Sequence, residues 1–319
     1  MLENRPTPLD ALESRLPSAE GHFRRDHFDP PLIDAGGFAL ELAGVGVARR
    51  LTLDDLRRLP PRELDVVLEC AGHRRDEFEP PTPGLQWGVG AVGEARWAGT
   101  ALADALGLVE IGPEVTEVAL FGADRGSCEV AAGVHRFARS IPLAKALHPD
   151  TLLVWEMDGE PLPVGHGAPL RAIVPGWYAT DSVKWLERIE LVCAPFDGPF
   201  QALDYRWVDE RHPPPGVRMD EVPVHSVITS IDAATARGVA WGGGGIARVE
   251  VRIDDGEWRE ARLEKGSGAY ARTRWTFDLP RPAHSIAARA TDVHGDSQPQ
   301  RPDWNPGGYR NNSVQRIAL

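Results

Sequence analysis

Residues 247–253 read ARVEVRI, with Val249, Val251 and Ile253 on one side of an extended chain and Arg248, Glu250 and Arg252 on the other. Strict alternation of this kind predicts a half-buried strand. Asp254-Asp255-Gly256 supplies a turn, and EWREARL brings the chain back. Trp275 and Phe277, then Ile286, Ala288 and Ala290, repeat the alternation. From Val224 onward nearly every segment reads as a strand. Short strands at this spacing over roughly 100 residues predict an all-β, immunoglobulin-like sandwich. No Cys-Trp-Cys signature occurs, which excludes the disulfide-linked antibody type.

The earlier part of the chain has a different rhythm. Residues 1–21 read as a polar, proline-containing arm. From about residue 22, strand-like and helix-like signals alternate. Thr52 and Asp55 resemble a capping box, with Leu53, Leu56 and Leu59 at helical spacing and Pro60-Pro61 as a stop. Thr100 to Leu108 predicts a second helix. Ser140 is placed to cap a third, with Pro142 in its first turn. Strands are expected at 65–68, 117–122, 152–157, 171–174 and 183–191. Helices and strands mixed without regular βαβ spacing predict an α+β fold, irregular in its first part. The expected organisation is an arm over 1–21, an irregular mixed α/β domain over 22–200 and the sandwich over 201–319, with Asp209–Pro223 as a proline-rich linker. No GxxxxGK[ST] occurs.

Composition narrows the function classes. The chain has 319 residues, which allows about two domains of ordinary size. Its formal net charge of −12 argues against a nucleic-acid partner or an anionic membrane surface. Arg-Arg pairs nevertheless recur at 24–25, 49–50, 57–58 and 74–75; most such pairs are solvated surface charge, but some can line a local anion pocket. Three dispersed cysteines, Cys70, Cys128 and Cys193, make no disulfide framework and fit a reducing compartment. The first residues resemble neither a secretory nor a twin-arginine leader, and no run approaches the roughly 18 apolar residues of a membrane span. The cytoplasm is the expected location.

The candidate chemistry centres on ECAGHRR, residues 69–75. Four readings of Cys70 stand side by side. It can be a buried structural cysteine. It can be a nucleophile with His73 as base. It can be a zinc ligand with His73, although no second pair stands at ligand spacing. It can also be a soft thiolate on a cofactor-borne metal, with Arg74 and Arg75 lowering its pKa and drawing an oxyanion. Only the last gives the two arginines work.

ECAGHRR, GLQWGVGAVGEARWAGTALADAL (84–106), ARSIPLAKAL (138–147), WEMDGEPLPVGHGAPLRAIVPG (155–176) and SVKWLERIEL (182–191) together resemble the sulfite oxidase family of molybdenum-pterin enzymes, in order and spacing. WNPGGYRNN (304–312) resembles that family's dimerisation domain. The resemblance covers about residues 22–319. It implies a molybdenum-molybdopterin cofactor, Cys70 as the metal's protein ligand, and cofactor contacts from Arg25, His27, Asp124, Ser140, His166, Arg171, Ser182 and Lys184. Arg25, Arg75, Trp87 and Tyr205 are implied on the substrate side. The implied reaction is oxygen-atom transfer that oxidises sulfite to sulfate, with electrons leaving to an external acceptor such as a cytochrome. No haem motif is present in the chain, and a homodimer is implied.

Departures from the family pattern are specific. Gly307 stands where sulfite-oxidising members commonly carry arginine, which predicts weakened anion binding and a lower sulfite KM on restoring arginine there. His73 and Asp26 stand where asparagine is usual. Two alternatives remain. One is a molybdenum reductase of nitrate or of an S- or N-oxide. The other is a non-catalytic binding or assembly protein on the same domains.

Overall fold

The computed structural model describes residues 2–14, 19–44, 48–280 and 282–319. Strands dominate; the five α-helices among the described residues are four or five residues long. The chain divides into two compact units, each assembled from separate stretches: Met1–Arg5, Arg24–Leu64 and Arg96–Asp220 in the first, and Pro6–Phe23, Asp65–Ala95 and Glu221–Leu319 in the second. Of the expected arm over 1–21, residues 1 and 15–18 lie outside the described residues. Leu9–Glu13 is helical, and the Glu13 carboxylate accepts hydrogen bonds from Thr229 (3.1 Å) and Ser230 (2.7 Å).

The first unit holds a five-stranded sheet in the order Ala48–Thr52, Ala39–Ala43, Leu186–Val192, Glu117–Cys128, Ala131–Pro142. Its one parallel pair joins Ala39–Ala43 to Leu186–Val192. A second sheet runs Glu160–Pro161, Leu152–Met157, Val92–Ala101, Pro61–Glu69, with Arg171–Ile173 also on Leu152–Met157. The division between units falls within two of these strands, at residues 64–65 and 95–96. The capping box at Thr52 forms as expected: its hydroxyl accepts from the Asp55 amide and the Asp55 carboxylate from the Thr52 amide.

Three local expectations change. Thr100 and Ala101 belong to the strand Val92–Ala101, and the helix is only Leu102–Leu106. Ser140 caps no helix; it lies in the strand Ala131–Pro142, paired with Ala119, and Pro142 precedes the short helix Leu143–Ala146. Sheet pairing along Glu117–Cys128 satisfies the backbone there, so the chain stays extended until proline, which has no amide to give, ends the ladder. The expected linker 209–223 is partly ordered by pairing: Val217–Arg218 pairs with Arg206–Trp207.

The second unit contains two four-stranded antiparallel sheets. One is His225–Ile231, Thr235–Trp241, Thr273–Asp278, Arg262–Glu264; the other is Arg259–Glu260, Ile246–Ile253, Ser285–Asp292, Gln315–Ala318. Both send side chains into one core that includes Ile228, Ala236, Val249, Val251, Trp275, Phe277, Ile286 and Ala288. The alternation in ARVEVRI is realised, with Val249 and Val251 fully buried and Arg248 exposed.

Candidate functional site

The strand Pro61–Glu69 runs straight into a tight turn at Cys70, which lies in the second unit. The Cys70 amide donates to Ala91 O (2.9 Å), the His73 amide to Cys70 O (2.9 Å) and the Arg75 amide to Gly72 O (3.1 Å). Arg74 takes a left-handed backbone with φ of 57°. Cys70 is buried and no disulfide joins the three cysteines.

The two arginines of the turn do different things. Arg74 is buried and committed: its guanidinium donates to the Glu77 carboxylate at 2.7 and 2.6 Å and to Ser313 O. The expectation that it draws an oxyanion alongside Arg75 is therefore not realised, because its charge is already matched. Arg75 is buried too, yet it has no carboxylate partner among the described residues. Nε donates to Gly307 O and Gly308 O (3.2 Å each) and Nη1 to Leu85 O (3.0 Å). Trp87 is buried, and its indole N–H has no partner among the described residues; the Thr82 hydroxyl is in the same position. Buried donors left unmet cost free energy unless a ligand or water takes them.

His73 turns away from base chemistry on Cys70. Its ring is buried edge-on against His225 (centroids 5.4 Å) and Trp241 (5.6 Å), and neither ring nitrogen makes a hydrogen bond among the described residues. Burial, with help from His225 and Arg74, pushes its pKa well below the ordinary value, so the imidazole is neutral. Glu69 accepts from the Trp241 indole (2.6 Å) beside it. Among the described residues, no group of three or more His, Cys, Asp or Glu is placed to hold a metal.

In the first unit several cations gather, and one of them, Arg171, has no carboxylate partner among the described residues. Arg171 is buried. It donates to His166 O and Ser182 O (2.9 Å each) and stacks on Trp97 at 4.8 Å. Burial alone pulls its pKa down to about 9. His166 is buried in the turn Val164–His166, which Gly167 closes with φ of 111°. The Ser182 hydroxyl accepts from the Val174 amide (3.0 Å). Lys184 reaches Asp26 and Gly165 O, and burial lowers its pKa to about 8 despite that carboxylate. Asp26 is fully buried between Lys184 and Arg24, whose Nη2 lies at 2.7 Å. Sequence reasoning left Asp26 unassigned and passed over Arg24 as one of several Arg-Arg pairs.

Around this cluster, Arg25 donates to Asp26 O and to Asn4 Oδ1. The His27 ring nitrogen Nε2 lies 2.6 Å from the Tyr205 hydroxyl, and the ring packs on Phe137 and Phe200. Burial first, then Arg25, Lys184 and Arg139, hold His27 well below its usual pKa. Tyr205 sits at φ of 50°, its amide tied to Asp204 Oδ1 (2.7 Å). Burial raises Asp124 to about 7, so it is poised between neutral and charged. Ser140 lies in a closed network: its hydroxyl donates to Glu117 (2.6 Å) and accepts from Gln201 (2.7 Å). Arg139, which the sequence did not single out, is fully buried on Asp181 (2.9 Å).

A buried arginine served only by carbonyl oxygens, near a buried lysine of depressed pKa, is a poor structural pair and a good receptor for an anion. The donor set of the first unit fits a phosphate-bearing cofactor, and the turn of the second unit offers one buried thiol, a soft metal ligand.

Residues 27–200 match the oxidoreductase molybdopterin binding domain, and residues 219–319 match the Mo-co oxidoreductase dimerisation domain. The mitochondrial sulfite oxidase of Rattus norvegicus is 34% identical over 350 residues, covering 98% of this chain and 63% of that protein. The chain thus spans less than two thirds of that relative's length. The sulfite oxidase of Arabidopsis thaliana is 32% identical over 368 residues, covering 99% of this chain and 91% of that one. Among solved structures, the sulfane dehydrogenase SoxCD from Paracoccus pantotrophus superposes with a TM-score of 0.84 at 27% identity, covering 98% of this chain and 82% of that one. The chain belongs to the sulfite oxidase family of molybdopterin-binding oxidoreductases.

Proposed function

We propose that this protein is a molybdenum-dependent oxidoreductase that oxidises sulfite to sulfate and passes the electrons to an external acceptor. The observation that carries the reading is the turn 70–75, which buries the Cys70 thiol and, five residues on, the Arg75 guanidinium, to which no carboxylate pairs among the described residues. In net terms, sulfite and water become sulfate, two protons and two electrons. When bound, the molybdenum cofactor supplies the oxygen-atom transfer and the two-electron exchange.

The protein's own residues bind, orient and exclude water. Cys70 would be the metal's protein ligand. His166, Arg171, Ser182 and Lys184 would hold the pterin and its phosphate, with His27 and Asp124 beside them. Ser140 keeps its cofactor assignment only through the family resemblance, since its hydroxyl is spent on Glu117 and Gln201. Arg75 would take the substrate oxygens by charge-assisted hydrogen bonds, and the unmet Trp87 indole would add a further donor. Arg25 and Tyr205 retain their substrate-side assignments, and the neutral imidazole of His27 can accept a hydrogen bond from the Tyr205 hydroxyl.

At the level of the chain, the reading comprises a mixed α/β cofactor domain over about 22–200 and an immunoglobulin-like dimerisation domain over about 201–319, joined in a homodimer. The cytoplasm suits three cysteines that no disulfide joins among the described residues. No helix among the described residues is long and apolar enough to cross a membrane.

The test is sulfite-dependent reduction of an artificial dye by protein of measured molybdenum content, with Cys70→Ser beside it. Turnover in the parent protein that disappears in the variant supports the reading. A molybdenum-loaded parent that does not oxidise sulfite but consumes reduced dye with nitrate or an S-oxide replaces it with the reductase reading. Full turnover by Cys70→Ser removes the thiol from the site.

A further inference from the structure

We propose that Tyr309 is a specificity-determining residue of the oxyanion pocket: its ring holds the Arg75 guanidinium in one plane and fills the space over Gly307, so the site takes a small sulfur oxyanion and disfavours one with an organic substituent. The proposal rests on the reading that Arg75 meets the substrate.

Arg75 lies in a cradle of backbone. A Cβ on Gly72 would stand 2.7 Å from its guanidinium carbon, one on Gly84 2.8 Å from Nη1, and one on Gly308 2.9 Å from its Cγ. A side chain at Gly72 or Gly84 would push the guanidinium aside, and one at Gly308 would strike the Thr82 hydroxyl as well, so three glycines leave the room this cation occupies. The Arg75 carbon Cζ sits 5.0 Å from the centroid of the Tyr309 ring, within cation–π range. Nε and Nη1 are committed to the carbonyls of Gly307, Gly308 and Leu85. No hydrogen bond leaves Nη2 among the described residues. The guanidinium is therefore fixed in plane by carbonyls and covered by the Tyr309 ring, and it has one edge left to offer an anion.

The turn that carries Tyr309 is itself fixed. Asn305 is fully buried and binds both backbone groups of Tyr309: its Oδ1 accepts from the amide (3.0 Å) and its Nδ2 donates to the carbonyl (2.8 Å). Gly308 takes φ of 59° to make the bend, and its amide donates to Asn305 O (3.0 Å). A Cβ on Gly307 would run into the Tyr309 ring. The space over Gly307 is thus occupied, and an arginine placed there alone must first dislodge the ring. On this proposal Gly307→Arg alone does not lower the sulfite KM, contrary to the simple expectation.

The experiment uses the full-length, molybdenum-loaded protein as Tyr309→Phe, Tyr309→Ala and Gly307→Ala. Steady-state kcat and KM are measured for sulfite and for methanesulfinate, whose oxidation to the sulfonate consumes water and gives two electrons to the same dye. Sulfate Kd is measured by calorimetry. Tyr309→Ala and Gly307→Ala should raise the sulfite KM and sulfate Kd about tenfold with kcat within about twofold, the scale of a desolvated cation–π contact. Both should also raise the methanesulfinate-to-sulfite ratio of kcat/KM. Tyr309→Phe should restore parent behaviour.

Unchanged KM, Kd and ratio in both ring-displacing variants would overturn the proposal. So would Tyr309→Phe behaving like Tyr309→Ala. If Tyr309→Ala loses molybdenum or does not fold, Gly307→Ala carries the test. A parent protein that oxidises no sulfite defeats the functional reading but leaves the sulfate Kd comparison to judge Tyr309.

Discussion

Arg171 is surrounded by carbonyl oxygens and a tryptophan ring, and no carboxylate matches its charge among the described residues. An unmatched buried cation is costly in the cofactor-free protein and useful only when an anion arrives. Arg171→Met should leave the cofactor-free protein at least as resistant to heat, while molybdenum content after loading falls roughly tenfold to a hundredfold, the scale of a lost charge-assisted hydrogen bond. Calorimetry and elemental analysis read the two effects separately. Asp124 gives the pH counterpart. Burial raises it to about 7, so between about pH 4 and 7 the unfolded chain has released this proton and the folded chain still holds it. The stability linked to it is full below about pH 4, falls as pH rises through that window, and levels off above about 7. Asp124→Asn should gain on the parent across the same window, at up to about 1.4 kcal/mol per pH unit, in urea titrations of cofactor-free protein. A constant difference between pH 4 and 7 would contradict this. None of these environments could be read from the residues alone, because burial is a property of the neighbours.

Among the elements, the strands whose side chains alternate were the easiest to place. Ile246–Ile253 was readable because a period of two needs no partner to be seen. Ser140 was misplaced because a serine before proline signals a helix start only if the preceding chain is free. Here it pairs with Glu117–Cys128. Trp275 shows how much one strand residue carries: it is almost fully buried in the two-sheet core, its indole donates to the Ser226 hydroxyl (3.0 Å), and a Cβ on Gly238 would strike its ring. Trp275→Ala should cost about 3–5 kcal/mol, from lost burial and the cavity left behind. A urea midpoint that moves by less than the equivalent of about 1 kcal/mol would show that the sheets collapse to fill the space.

For the molecule as a whole, family membership carries a prediction about assembly. The residues 219–319 match a dimerisation domain, and a twofold, self-complementary interface is the default for two copies of one chain. Sedimentation should give a species of twice the 34.8 kDa chain mass. A protein that remains at the single-chain mass at working concentration would exclude the dimer.

The order of the blocks from ECAGHRR to WNPGGYRNN carried the family and the cofactor class, because a run of residues keeps its identity wherever the chain goes. Strand alternation in the last hundred residues was local in the same sense. What depended on distant partners became visible only in three dimensions. Arg74 and Arg75 are adjacent and chemically alike, yet one is neutralised by Glu77 and the other is left with carbonyls, two of them from residues more than 200 positions away. Gly307 looked like an opening in the sequence; the fold fills it with the ring of Tyr309. A side chain's charge is written in its own codon, but whether that charge is matched, buried or offered to a ligand is settled by which other segments the tertiary structure brings against it.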